Sequence, residues 1–193
     1  LLAVTGCLPE EGTPGPGGDL PGPSPPPGQQ SPQVPLPVAI FLARQGKLEA
    51  VFRSLPVPPE EGPRAALEAL IAGPVSFEER QGYRRVLPPS TLVFGVSMQD
   101  EVATADFSRE IITRSGDVGG GSLAESLALH AIYLTLAQFP GVERVKVLVE
   151  GKSEGMVDGR SIKDFWGHVG LPAYLKGDVP VLRTFDRQEV GDQ

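Results

Sequence analysis

The sequence lacks the residues on which several common functions depend. Among its 193 residues there are one cysteine and two histidines, too few for a closed zinc site of about four nitrogen or sulfur ligands. The net charge of −7 is opposite in sign to the basic surface that binds nucleic-acid phosphates. No apolar run approaches the roughly 20 residues that cross a bilayer. We therefore expect no metal, no other cofactor and no nucleic-acid partner.

Catalytic patterns are missing as well. No G-x-S-x-G turn is present, and the glycine run 119–121 before Ser122 lacks the lysine that a P-loop carries. His130 lies inside an apolar helix pattern, where a core or rim histidine is the expectation. His168 could pair with Asp164 or Asp158, and the sequence leaves open a Ser-His-Asp site whose members come together only in the folded chain. The prediction is a protein that is not an enzyme, with no catalytic residue assigned.

Three carboxylates lie close together in the sequence, namely Asp100, Glu101 and Asp106. A glycosidase needs two acids placed across a groove. The first two are predicted to form a hairpin turn, and strand alternation places Asp106 on the same face as Val102 and Thr104. That semi-polar face is either a solvent side or an interaction surface.

The only cysteine ends a short apolar run. Residues 1–7 read LLAVTGC, which resembles the end of a secretory signal followed by a bacterial lipobox. The resemblance implies that residues 1–7 are the remnant of a signal peptide. It also implies that Cys7 becomes the lipid-modified first residue of the mature protein. An incidental or buried cysteine is the alternative.

Residues 8–37 are rich in proline and glycine and nearly free of large apolar side chains. Such a segment buries too little surface to offset its ordering entropy, so we expect a disordered tether. The PxxP pattern of Pro23 and Pro26 would also fit a protein-binding ligand. Lipid, tether and folded domain together predict an extracytoplasmic protein that is anchored to the bacterial cell membrane.

The rest of the chain alternates strand and helix patterns. The expected elements are a hairpin at 38–55, a helix at 65–72, a hairpin of strands 92–98 and 102–107, a helix at 122–139 and a strand at 142–149. They predict an α+β fold, a two-layer sandwich of a mainly antiparallel sheet with two helices on one face. Residues 38–151 would form this domain. Residues 152–193 would be a C-terminal extension that could complete it, with a helical turn at 161–166 and an edge strand at 181–185.

The helix at 122–139 is expected to lie at the centre of the domain. Ser122 and Glu125 fit a capping box at its start. Apolar residues recur at helical spacing and predict one buried stripe: Leu123, Leu127, Ala131 and Leu134, widened by Leu129, Ile132 and Leu136. The strand at 92–98 is expected to present one apolar face: Leu92, Phe94, Val96 and Met98.

Two features could bind a partner. Arg80, Arg84 and Arg85 fall in a long polar connection at 75–89, either as solvated charges or as a surface for an acidic partner or anionic polymer. Trp166, the only tryptophan, either closes the edge of the core or acts as an exposed binding anchor. These four residues form the predicted interaction surface.

The order of these signals resembles the GerMN domain, a bacterial module named for sporulation and spore germination. Five segments carry the resemblance, in this order: RAALEALIAGP (64–74), LPPSTLVFGV (87–96), VATADFS (102–108), LAES…YLTLAQFPGV (123–142) and VKVLVEG (145–151). The resemblance implies a non-catalytic envelope domain, frequent in lipoproteins and similar in shape to ring-building modules of the sporulation machinery. Proteins of this kind can carry two copies, whereas one is evident in this sequence.

Three functional hypotheses follow. In the first, a lipid-anchored envelope protein uses its GerMN-like domain to bind other envelope proteins or its own copies. In the second, the chain binds peptidoglycan or a small ligand through the three arginines and Trp166. A hydrolase is the weakest alternative, because no nucleophile or acid pair is marked.

Overall fold

The computed structural model describes residues 34–112, 122–165 and 173–176, with the backbone alone for Ser122, Asp164 and Phe165. The strands within these ranges are β1 Leu36–Arg44, β2 Lys47–Leu55, β3 Val93–Gln99, β4 Val102–Phe107, β5 Arg144–Val149, β6 Met156–Val157, β7 Arg160–Ser161 and β8 Leu175–Lys176. The helices are α1 Gly62–Ala72, α2 Ser76–Arg80, α3 Ser122–Ala137 and α4 Ile162–Phe165, with 3₁₀ turns at Pro59–Glu61 and Arg109–Ile112.

Two antiparallel hairpins form where the alternating patterns predict them. β1 pairs with β2 along its whole length, and the turn residues Gln45 and Gly46 have φ of 51° and 76°. β3 and β4 join through Asp100 and Glu101, with φ of 51° and 64°. Positive φ at both central residues is typical of the type I′ turns that connect twisted strands. The predicted turn at Asp100 and Glu101 is therefore confirmed.

The larger sheet of the described residues has the strand order β3-β4-β5-β8. β4 and β5 run parallel, because the chain passes through α3 before it returns to the sheet, and parallel neighbours need such a crossover. The β3–β4 and β5–β8 pairs are antiparallel. The α+β class with a mainly antiparallel sheet is confirmed, and the β1–β2 hairpin forms a two-stranded sheet of its own.

The core lies where the two long helices meet the strands. α1 and α3 pack against each other, and both contact β1 and the larger sheet. Val145, Val147 and Val149 of β5 are buried on one face, as their alternation predicts. Phe107 on β4 and Ile132 on α3 have no exposed surface. Each buried side chain of this size contributes about 1.5–3 kcal/mol.

The buried face of α3 matches the predicted stripe in part. Four of its residues are buried as predicted, namely Leu129, Ala131, Ile132 and Leu136, and Leu127 and Leu134 are half-buried. The prediction was wrong for Leu123, which is 60% exposed, because α3 is apolar on nearly every side and helical spacing alone does not select one face. No residue at 124–137 is exposed, so the helix has little solvent-facing surface in its middle.

The sequence predicts a long polar connection at 75–89 without a helix or strand, but the structure has regular elements there. Residues Ser76–Arg80 form α2, where the Glu78 carboxylate reaches back to the N–H of Val75 at 2.9 Å. Further along, Arg84 forms an isolated β-bridge with Ala43 of β1. A five-residue polar helix shows no apolar periodicity, so the pattern gave no sign of it.

The predicted single face of β3 is interrupted. The register with β4 shifts between Val93 and Gly95, which is the signature of a β-bulge. Leu92 and Phe94 therefore do not continue the alternation of Val96 and Met98, and the expectation of one uniform face was wrong.

The chain beyond residue 151 contributes to the core. Val157, Ile162 and Leu175 are buried in it, and β8 pairs with β5. α4 confirms the predicted helical turn. The tether predicted at 8–37 ends earlier than expected, because Leu36 and Pro37 already belong to β1 and pair with Leu55 and Ser54. Several predictions concern parts outside the described residues: Cys7 and its lipobox, the tether up to residue 33, the Ser122 hydroxyl, Trp166, His168 and the edge strand at 181–185.

Candidate interaction surface

Three of the predicted interaction residues come together on the surface. Arg80 ends α2, and Arg84 and Arg85 follow it. With Ser76, Glu79 and Tyr83 they line an open hollow of about 660 Å³, which we call the arginine hollow. The fourth predicted residue, Trp166, lies outside the described residues, so its role stays a prediction.

Two of these arginines are held by backbone carbonyl groups. Arg84 exchanges backbone hydrogen bonds with Ala43, with N···O distances of 2.7 and 3.1 Å, and its Nη1 donates to the carbonyl of Glu79 at 3.2 Å. Arg85 Nη1 donates to the carbonyl of Ile71 at 3.3 Å. Both side chains thus satisfy carbonyl groups near helix ends. Since a guanidinium has five N–H donors, each retains donors for another partner.

An ion pair fastens α2 to β2. Arg53 Nη1 and Nη2 donate to the two carboxylate oxygens of Glu78 at 2.8 and 2.7 Å, and the side chains are 19% and 12% exposed. The hydrogen bonds from Arg53, with a smaller contribution from the N–H of Val75, hold the pKa of Glu78 below its ordinary value against the opposing effect of burial. Sequence reasoning missed this bidentate pair, because its partners lie on different elements.

A second ionic cluster lies beside the hollow. Glu49 accepts a hydrogen bond from Arg44 Nη1 at 3.2 Å and another from the Tyr83 hydroxyl at 2.9 Å. The Arg44 guanidinium lies 5.1 Å from the centroid of the Tyr83 ring, within cation–π range. The hydrogen bond to Glu49 favours the neutral phenol and raises the pKa of Tyr83. Tyr83 is therefore a fixed, neutral wall of the arginine hollow.

The free edge of β1 is covered. Ala39 N–H donates to Oε1 of Gln138, and Nε2 of Gln138 donates to the carbonyl of Ala39, both at 2.8 Å. The side-chain amide thus takes the place of a neighbouring strand. Further along the same strand, the backbone of Arg84 pairs with Ala43.

The outer edge of β3 has no such cover in the described part of the chain. No strand there pairs with it on the side away from β4. Phe94 and Met98 on this strand are 51% and 52% exposed, and Leu92 just before it is 61% exposed. This edge is a second candidate surface for contact with a partner.

The carboxylates and the histidine that were considered for catalysis and lie in the described ranges belong to turns, strand ends and a helix. Asp100 and Glu101 form the β3–β4 turn. Oδ1 of Asp106 accepts the N–H of Gly151 at 2.9 Å, which ties β4 to the turn after β5. His130 is half-buried, and burial lowers its pKa.

Across the described ranges, no group of three or more His, Cys, Asp or Glu could hold a metal ion. In the same ranges, no helix is long and apolar enough to cross a membrane.

The sequence also matches a known family over most of its folded part. The model of the Germane family, described as sporulation and spore germination, matches residues 40–155. The chain belongs to the Germane family. Over 118 residues it is 34% identical to the spore germination protein GerM of Bacillus subtilis, an alignment that covers 59% of this chain and 31% of GerM. The chain therefore spans about a third of that relative.

Solved structures agree with the Germane assignment. The first GerMN domain of the sporulation protein GerM from Bacillus subtilis superposes with a TM-score of 0.55 and 25% identity, covering 74% of this chain and 98% of that domain. The tandem GerMN domains of the same protein give a TM-score of 0.54 at 24% identity, covering 74% of this chain and 46% of the tandem. The GerMN resemblance and the Germane fold are thereby confirmed.

Proposed function

We propose that this Germane chain is a lipoprotein, anchored to the bacterial cell membrane through Cys7 and working outside the cytoplasm. Its domain acts by non-catalytic contact with proteins of an envelope, sporulation or germination assembly, further copies of the chain included. The observation that carries the proposed protein contact is the open edge of β3.

The composition of β3 favours strand addition. The strand contains no charged residue and no proline, which are the usual devices that protect a sheet edge from pairing. In a hairpin with a two-residue turn, the two residues that flank the turn form a hydrogen-bonded pair, and such pairs alternate with non-hydrogen-bonded pairs along the strands. Gln99 and Val102 flank the turn in this hairpin. The N–H and C=O groups of Met98 and Val96 consequently point away from β4, toward an incoming strand.

The contrast with β1 supports a functional reading of this edge. At β1 the chain uses Gln138 and the backbone of Arg84 to occupy the outward backbone groups of Ala39 and Ala43. At β3 no strand of the described ranges pairs with the outer edge, beside which Phe94 and Met98 are exposed. A partner strand at this edge would gain main-chain hydrogen bonds and apolar contact together.

The edge can be tested by site-specific photo-crosslinking in cells, with the photoreactive residue placed at Met98 or, as a control, at Phe52. Phe52 is also apolar, lies on a strand and is 77% exposed, but it is not on the β3 edge. We expect crosslinks to another copy or to an envelope protein from Met98 and fewer from Phe52. The added substitution Val96→Lys should abolish them. Absence of crosslinks from Met98, together with a monomer in sedimentation of the purified chain, would contradict the proposal.

The anchor is tested separately by the intact mass of protein extracted from membranes, comparing wild type with Cys7→Ser. We expect a diacylglyceryl-sized increment on Cys7, with loss of both the increment and membrane fractionation in the variant. An unmodified wild-type protein in the soluble fraction would refute the anchor and leave the β3 contact to be judged by the crosslinks.

A further inference from the structure

The arginine hollow carries an excess of positive charge in an acidic protein. Of the described residues that line it, three are arginines, Arg80, Arg84 and Arg85, and one is a carboxylate, Glu79, although the whole chain has a net charge of −7. Among the described residues, none of the three guanidinium groups forms an ion pair with a carboxylate. Arginines that serve only as solvated charges can lie anywhere on a surface, whereas these three line the same hollow.

The neighbouring carboxylates are already engaged elsewhere. Glu78 is held by two hydrogen bonds from Arg53, and Glu49 is held by Arg44 and Tyr83. Neither carboxylate can turn to neutralise the hollow without giving up those bonds. The unneutralised charge is therefore built into the fold, because two other arginines hold Glu78 and Glu49, which lie beside lining residues of the hollow.

We infer that the arginine hollow binds an oxyanion, a carboxylate or phosphate group carried by an extended cell-wall polymer. The choice of polymer rests on the proposed extracytoplasmic location; the oxyanion itself follows from the hollow. Guanidinium groups match carboxylate and phosphate geometry with paired N–H donors. The volume of about 660 Å³ is within the range of sites for small ligands.

Two features of the lining limit the chemical class of the ligand. The Tyr83 side chain, whose hydroxyl is held by Glu49, lines the hollow beside the cations, and an aromatic side chain there suits a sugar or peptide unit next to the anionic group. Glu79 places one negative charge among the three positive charges, which disfavours a densely charged polyanion. Isolated carboxylates, as on the stem peptide of peptidoglycan, fit this balance better than closely spaced phosphates.

Amide chemical-shift titration and calorimetry of the full 193-residue chain test the site, with a disaccharide–peptide fragment of peptidoglycan in one arm and a glycerol-phosphate oligomer in the other. We expect saturable shifts at Ser76, Tyr83 and Arg84. Arg80→Gln should weaken binding about ten-fold, as for the loss of one charge-assisted hydrogen bond. Binding of either fragment with this dependence supports the oxyanion site, and the arm that binds identifies the source of the oxyanion.

The matched control is Arg64→Gln, which removes an exposed arginine of α1 that pairs with Glu68. Arg80 makes no ion pair within the described residues, so Arg80→Gln should leave the fold intact, and the amide spectrum will report any change. Failure of both fragments to bind, or equal weakening by Arg80→Gln and Arg64→Gln, would overturn the inference. Because the assay uses neither Cys7 nor the β3 edge, its failure is distinct from failure of the proposed function.

Discussion

Glu78→Gln is expected to lower the free energy of unfolding by about 2 kcal/mol at neutral pH. The substitution removes the charge from a carboxylate that accepts two hydrogen bonds from Arg53, at 2.7 and 2.8 Å. Net contributions of hydrogen bonds to charged groups are about 1.5–3 kcal/mol. Glutamine keeps one oxygen acceptor, which reduces the loss, but it leaves Arg53 without a counter-charge at a site where its side chain is only 19% exposed, which increases the loss.

The loss of stability caused by the same substitution should depend on pH. The hydrogen bonds from Arg53 hold the folded-state pKa of Glu78 below the value of 4.5 that is ordinary for a glutamate. The stability that this group contributes is fully present above the unfolded-state pKa and is lost as the pH falls through the folded-state pKa. The glutamine variant has no such titration. The difference in stability between wild type and variant should therefore shrink as the pH falls below 4.5.

The assay is urea-induced unfolding followed by far-ultraviolet circular dichroism, at neutral pH and in stepwise acidified buffers. Glu68→Gln is the control, because its partner is also an arginine, Arg64, but the side chains are 51% and 55% exposed. An exposed pair of this kind contributes up to about 1 kcal/mol and often nothing measurable. Equal losses in the two variants, or a Glu78→Gln loss that does not change with pH, would refute the reasoning.

Two further substitutions test the packing. Leu136→Ala should lower the free energy of unfolding by about 2–5 kcal/mol, whereas Leu123→Ala on the exposed side of α3 should change it by no more than about 0.5 kcal/mol; similar losses in denaturant unfolding would contradict the buried face described for α3. Gly73→Ala should destabilise by about 1–2 kcal/mol, because Gly73 has φ of 75° and an added Cβ would lie 3.0 Å from Cγ of Arg85. A melting temperature equal to that of wild type would contradict this second expectation.

The hairpins were predictable because each depends on local signals. β4 begins and ends at the residues that alternation indicates, and Asp100 with Glu101 supplies the turn. In such a segment side-chain period, turn chemistry and strand pairing all favour one structure. The same holds for the buried face of β5.

The exposure of Leu123 and the existence of α2 could not be predicted from the sequence. Leu123 is exposed because of where β1 and the larger sheet lie, which a helix that is apolar on nearly every side does not encode. α2 is held by the contact of Glu78 with Arg53 on β2. A five-residue helix is marginal without such tertiary contacts, and propensity alone does not indicate it.

The candidate surface was predictable in part. The three arginines are close in sequence, so their proximity in space needed little tertiary information. That none of them pairs with a carboxylate in the described part of the chain is a tertiary property, since it depends on Arg44 and Arg53 engaging Glu49 and Glu78. The open edge of β3 likewise depends on the strand order of the folded sheet.

The parallel pairing of β4 with β5 has a kinetic consequence. The β1–β2 and β3–β4 hairpins join strands that are separated by two residues, whereas Val102 pairs with Arg144 across the whole length of α3. The entropy cost of closing a loop grows with its length, and contacts between distant residues slow folding. The hairpins therefore form at a lower entropic cost than the centre of the larger sheet. β5 reaches its place beside β4 only when the chain through α3 has folded back on the sheet.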